Sequence, residues 1–193
     1  AISAYNYPHQ LNLAKLAPAM AAGCTTILKG APDTPLVTLA LGKLIAEATD
    51  IPAGVVNVLA SSEVATGELM TVHPDVDMIT FTGSTAVGRA IMAAAAPTLK
   101  KTFLELGGKS AYVVLDEESI VLGAMMSSFA VCSHAGQGCA VTSRLVVPRE
   151  HLDQAVEQVV EMMGNLKVGD PSQPDTYLGP LLHRRPPAPV PGL

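Results

Sequence analysis

The feature that most constrains this chain is an alternation of short β-branched runs with longer helix-period stretches. Thr25–Lys29, Val55–Leu59, Met78–Phe81 and Thr102–Leu104 read as buried strands. Between them, Pro35–Ala48, Glu63–Val72 and Arg89–Ala96 carry helical periodicity, with Thr34 placed to cap the first. Strands joined through helices return parallel to one another, because a crossover rather than a hairpin connects them. The pattern predicts an α/β fold built on a doubly wound parallel sheet. Leu11–Met20 reads as a further helix packed on that core. The alternation then resumes with strand Ala111–Leu115, helix Glu118–Cys132, strand Leu145–Val147 and helix His151–Met163. The last carries an apolar stripe of Leu152, Val156, Val159, Val160 and Met163.

Composition narrows the class. With 49% hydrophobic residues in 193, the chain can bury a core as one domain or two small lobes. Aromatics make up only 4%, with no tryptophan, so that core must come from Val, Leu, Ile, Ala and Met. A net charge of −5 argues against nucleic acid or an anionic membrane as partner. No apolar run reaches the roughly 18 residues of a membrane span, and no basic-then-apolar signal peptide opens the chain. The three cysteines are irregularly spaced and make neither a disulfide framework nor a zinc site, so no metal is expected. A reducing cytoplasm is the default location.

One glycine-rich turn stands out, Ser133 to Arg144. Gly136 and Gly138 flank Gln137 and present Cys139 just before a β-rich segment. Glycines there allow tight turns and close approach to a ligand, as a nucleophile requires. The plainer alternative is a small buried residue at a helix end. His134, five residues earlier, could be taken for a Cys–His dyad, but a catalytic histidine is usually distant in sequence. Upstream, Glu105 sits between Leu104 and Leu106, followed by Gly107 and Gly108. Flanking leucines would desolvate that carboxylate and raise its pKa toward a general base's range. The ordinary reading is a surface glutamate at a strand end. At Thr82-Gly83-Ser84-Thr85, a strand runs into a helix, aiming backbone N–H groups and the Ser84 hydroxyl at an anion. A simple turn and cap is the competing account, and Gly83 to Gly88 does not have the G-x-G-x-x-G spacing.

Taken together, Gly136-Gln137-Gly138-Cys139 with Ser143-Arg144, and the unbroken Leu104-Glu105-Leu106-Gly107-Gly108-Lys109, resemble the aldehyde dehydrogenase superfamily. The resemblance runs from about Asn6 to Pro180 and covers only the middle of a family member, which is typically more than twice this length. It implies a Rossmann-like NAD(P)-binding lobe over residues 1–109, then the first part of an α/β catalytic domain over 110–182. Residues 183–193, proline-rich and without family counterpart, are expected to be disordered.

The resemblance also implies roles. Cys139 is the nucleophile, Glu105 the base that activates water, and Asn6 an oxyanion donor. The flanks of Asn6, Ala4-Tyr5, depart from the family's usual Pro-Trp. Lys15, Lys29, Gly54, Gly83, Ser84 and Leu106 form the implied cofactor set, with Ser84 at the pyrophosphate of NAD or NADP. A family glutamate three residues after Lys29 is replaced by Pro32, which removes a carboxylate that would repel a 2′-phosphate. NADP should therefore be tolerated. The implied activity is oxidation of an aldehyde to a carboxylic acid through a thiohemiacetal and a thioester. Relatives that pass the acyl group to coenzyme A generally lack the glutamate, so Glu105 favours the hydrolytic type. Full-length family members are homo-oligomeric. The rival reading is a non-catalytic remnant, whose open apolar faces and strand edges would favour aggregation.

Overall fold

The computed structural model describes residues 1–182; the proline-rich segment from His183 onward falls outside the described residues. The chain divides into two compact units, Ala1–Gly107 and a second from Gly108 onward.

The first unit is a parallel α/β sheet. Its helices are α1 (Pro8–Ala21), α2 (Pro35–Ala48), α3 (Val64–Val72) and α4 (Thr85–Ala95). Strand β1 (Thr26–Lys29) pairs in parallel with β2 (Val56–Leu59), and β3 (Met78–Gly83) with β4 (Lys101–Leu106). Ile2 joins the two pairs, bridging Lys29 on one side and Phe81 on the other, both in parallel. Its N–H donates to the Thr80 carbonyl at 2.8 Å, and its own carbonyl accepts from the Thr82 N–H at 3.0 Å. The sheet therefore runs β2, β1, the Ile2 rung, β3, β4. A rung one residue long has no periodicity, so sequence pattern could not disclose it.

Aliphatic residues fill the interior, as the shortage of aromatics requires. Met70, Ile79, Phe81 and Ile91 form one buried cluster, flanked by Ile2, Val76, Leu104 and Leu106. Leu16 and Leu28 centre a second, with Met20, Leu41, Ile45 and Val56 around them. Two local expectations need correcting. Helix α4 starts at Thr85 rather than Arg89, because Ser84 caps it. Thr34 does occupy the position before α2, yet its hydroxyl makes no capping bond; Pro35 opens that helix with a preset φ instead.

In the second unit, β5 (Ser110–Val113) pairs in parallel with β6 (Thr142–Val146), with a register irregularity between Ser110 and Ala111. Helix α5 (Ile120–Cys132) connects them, and α6 (Leu152–Gly164) follows. Val114, Ile120 and Ala155 form the core with Tyr112, Leu145 and Val147. The apolar stripe of α6 is present and largely exposed. Only Ala155 of that helix is buried, whereas Leu152, Val156 and Val160 are 51%, 52% and 66% exposed. A two-stranded sheet is too narrow to cover so wide a stripe.

The stretch Glu117–Gly136, within which α5 ends at Cys132, is 20 residues long and, by length and composition alone, apolar enough to cross a membrane. This corrects the expectation that no run reaches that length. Within the unit α5 is the central helix, burying Ile120, Gly123, Ala124, Ser127, Ser128 and Cys132.

Candidate active site

Three features of the first unit set out chemistry at the carboxyl ends of its strands. The first is a buried ammonium. Lys15, 8% exposed on α1, donates to Thr82 Oγ1 at 2.7 Å and to Thr80 Oγ1 at 3.3 Å. Residues two apart on a strand share a face, which is why one lysine reaches both hydroxyls. Burial pushes the Lys15 pKa below its ordinary value, and the negative charge of Glu105 partly opposes that shift. Neither threonine was singled out by sequence; the Thr-x-Thr spacing on β3 was the signal available.

The second is the strand end at Glu105, which is register partner of Thr82. Along β4 the exposed positions are Lys101, Phe103 and Glu105, and the half-buried ones Thr102, Leu104 and Leu106. The flanking leucines thus turn into the core, while Glu105 turns away from them and is exposed. Glu105 is thus not buried among its leucine neighbours, because neighbours in sequence on a strand point to opposite faces. Leu106 packs its side chain into the core. A Cβ at Gly88 would come within 2.8 Å of Leu106 Cδ2, so α4 rests directly on it.

The third is the start of α4. Ser84 Oγ accepts from the Val87 N–H at 3.3 Å, and its carbonyl accepts from the Gly88 N–H at 2.9 Å. Thr85 and Ala86 at the first positions have no acceptor within the helix, the usual state of a helix start. A side chain at Gly83 would run into the Phe81 ring. Lys29 is 7% exposed and donates to the Ser61 carbonyl at 2.9 Å; burial lowers its pKa. Gly54 has φ +87° and open space around it, so backbone conformation accounts for glycine there. Asn6 is half-buried on the bend that leads into α1.

The second unit carries Cys139. Helix α5 ends at Cys132, and Ser133 leaves it with ψ 138°. His134 and Ala135 then adopt left-handed conformations, φ 49° and 55°, and Gly136 follows at φ 74°. Only the glycine does so without strain; the other two cost about 1–2 kcal/mol each. Gln137 donates twice to the His134 carbonyl, from its N–H at 3.2 Å and from Nε2 at 3.1 Å. Cys139 emerges half-buried just before β6, and His134 is exposed. None of the three cysteines is in a disulfide, and Cys132 is buried with its thiol pKa raised by that burial. Among the described residues, no group of three His, Cys, Asp or Glu side chains is placed to hold a metal ion.

The first unit is thus a doubly wound parallel α/β unit with a capped helix start and buried lysines, and the second carries a cysteine after a strained turn. The model of the aldehyde dehydrogenase family matches residues 1–188, and the chain belongs to that family. It is 37% identical over 180 residues to 3-succinoylsemialdehyde-pyridine dehydrogenase of a Pseudomonas species, covering 93% of this chain and 38% of that protein. It is 40% identical over 186 residues to human 4-trimethylaminobutyraldehyde dehydrogenase, covering 95% and 37%. Among solved structures, it resembles a cysteine-to-alanine mutant of aldehyde dehydrogenase C from Pseudomonas syringae, complexed with NAD+ and octanal. That match has a TM-score of 0.90 at 37% identity, covering 94% of this chain and 37% of the other. An NADP-dependent enzyme of E. coli matches with a TM-score of 0.85 at 39% identity, covering 94% and 37%. The chain thus spans little more than a third of the length of these proteins.

Proposed function

We propose that this chain belongs to an enzyme that oxidises an aldehyde to a carboxylic acid with NAD or NADP, using Cys139 as nucleophile. The observation that carries the reading is the strained left-handed turn ahead of a half-buried cysteine. Strain of this kind persists where the surroundings over-determine it, and it clusters at functional sites. The relatives support the class: one neighbour was solved with NAD+ and octanal, and another is NADP-dependent.

The first unit fits a dinucleotide. Thr85 and Ala86 offer N–H groups at the positive end of α4. Lys29 commits one donor to Ser61, leaving two of its three ammonium protons for a ligand. When bound, the cofactor supplies the acceptor for the hydride that leaves the substrate carbon.

In this reading, the Cys139 thiolate attacks the aldehyde carbon. An ordinary thiol has a pKa of about 8.5, so a base or a positive field must aid its ionisation. The Cys139 N–H is a donor for the oxyanion, worth about 3 kcal/mol in comparable sites, and the family resemblance assigns a further donor to the Asn6 amide. Loss of the hydride with its electron pair leaves a thioester on Cys139. Water, giving its proton to a base that the family resemblance assigns to Glu105, attacks the thioester carbon through its oxygen; the thiolate departs and the acid is released.

Cofactor reduction with a panel of aldehydes, in parallel with Cys139→Ala, tests the reading. Reduction that disappears in the variant supports it. Folded chain that binds cofactor yet reduces none would count against it.

A further inference from the structure

The turn that presents Cys139 departs from a single carbonyl, that of Phe129, and three donors converge on it. The Ser133 N–H caps the end of α5 there, Ser133 Oγ donates at 2.6 Å, and the Tyr177 hydroxyl donates at 3.3 Å. With one proton each, either hydroxyl can alternatively donate to the other across 3.1 Å, and the Tyr177 ring meets Phe129 edge-on at 5.6 Å between centroids. A helix end ordinarily leaves its last carbonyls to water. The Phe129 carbonyl already takes the Ser133 N–H, and a side chain 48 residues away in sequence adds to that bond. The next three residues, His134, Ala135 and Gly136, are the left-handed ones. Strain persists only where the surrounding structure over-determines it, and the Phe129 carbonyl lies at the helix end from which this turn departs.

We propose that Tyr177, acting with Ser133, is a positioning residue that holds the turn and so sets the accessibility of Cys139. The proposal rests on the reading of Cys139 as nucleophile only for its catalytic meaning. The clasp itself is a property of the fold. Tyr177 comes from the loop after α6, which is tied back to Lys167 by the Tyr177 N–H at 2.9 Å. Loop and helix end therefore report on each other, and the hydroxyl is the part of Tyr177 that reaches the carbonyl.

The three cysteines give an internal test. Cys24 is exposed in the first unit and serves as reference, whereas Cys132 is buried and reports loss of the fold. The full chain is treated with iodoacetamide, and alkylation at each cysteine is followed by peptide mass spectrometry. Tyr177→Phe keeps the ring contact and removes the hydroxyl; Ser133→Ala removes the other donor. In each, the Cys139-to-Cys24 rate ratio should rise roughly fivefold, the worth of one ordinary hydrogen bond. The double variant should exceed either single by less than the product of the two, because both hydroxyls serve one carbonyl. Should Tyr177→Phe expose Cys132, Ser133→Ala carries the decision. A ratio that stays the same or falls in the variants that keep Cys132 protected overturns the proposal. Aldehyde oxidation that survives Cys139→Ala would remove the catalytic reading while leaving this measurement unaffected.

Discussion

Lys15 and Glu105 sit on one face of the parallel sheet and are linked through Thr82. The ammonium donates to Thr82 Oγ1 at 2.7 Å, and Thr82 is the register partner of Glu105 on the adjacent strand. An ammonium can only donate, so the Thr82 hydroxyl must direct its own proton elsewhere on that face. Burial lowers the Lys15 pKa, and Glu105 works against that. Between the lowered value and the ordinary 10.5, the unfolded chain binds more protons than the native one. Stability contributed by this group therefore rises with pH through that window and levels off above it. Urea midpoints measured across the alkaline range should show this slope in the parent chain and lose it in Lys15→Met. Glu105→Gln removes the opposing charge, lowers the Lys15 pKa further and widens the window. Parallel curves for the parent and Lys15→Met would remove Lys15 as the titrating group.

Ser84 serves two purposes that one pair of substitutions separates. Its Oγ caps α4 through Val87, and the proposed cofactor reading puts the pyrophosphate beside it. Ser84→Ala should cost about 1 kcal/mol of stability from the lost cap. Ser84→Asp retains a capping oxygen and a favourable charge for the helix, so its urea midpoint should stay near that of the parent. That same carboxylate would repel a pyrophosphate, and NAD(P) binding measured by calorimetry should be lost. Undiminished binding in Ser84→Asp would place the anion elsewhere.

Much of the strand–helix order was legible because each element is long enough to show its period. Val64–Val72 and Ile120–Cys132 lie within two residues of the stretches read from pattern. What escaped was short or depended on side-chain direction. Ile2 joins two strand pairs with one residue, and Glu105 is exposed because its leucine neighbours turn to the other face. The Tyr177 hydroxyl reaches a carbonyl 48 residues away, which no local pattern encodes. Cys139 was found from its glycines, although the strain ahead of it falls mostly on His134 and Ala135.

Pro32 lies exposed in the turn after β1, three residues beyond Lys29. A carboxylate there would accept from ribose hydroxyls and repel a 2′-phosphate; proline does neither. Pro32→Glu should strengthen NAD binding and weaken NADP binding, moving the ratio of the two dissociation constants toward NAD by about tenfold for one charge-assisted hydrogen bond. Titration of both cofactors against the parent and the variant gives that ratio. A parent chain that already binds NAD far more tightly would count against the assignment of this turn to the ribose.

Two glycines inside helices make opposite predictions for the same substitution. Gly67 lies within α3, and the nearest atom to an added Cβ is Ile2 Cδ1 at 3.7 Å, ordinary contact distance. Gly67→Ala should therefore stabilise the chain by about 0.5–1 kcal/mol, from helix propensity and a less entropic unfolded state. Gly123 lies within α5, where an added Cβ would collide with Val114 Cγ2, and the Tyr112 ring stands 3.5 Å away. Val114 is 4% exposed and its N–H is bonded to the Val146 carbonyl at 2.9 Å, so neither its backbone nor its branched side chain can retreat. Helix α5 would have to move off β5, and Gly123→Ala should destabilise by about 1–3 kcal/mol despite the gain in propensity. Urea unfolding of the two variants, followed by circular dichroism, decides between packing and propensity as the dominant effect. A midpoint that rises in Gly123→Ala would mean that α5 does not pack on β5 at this distance.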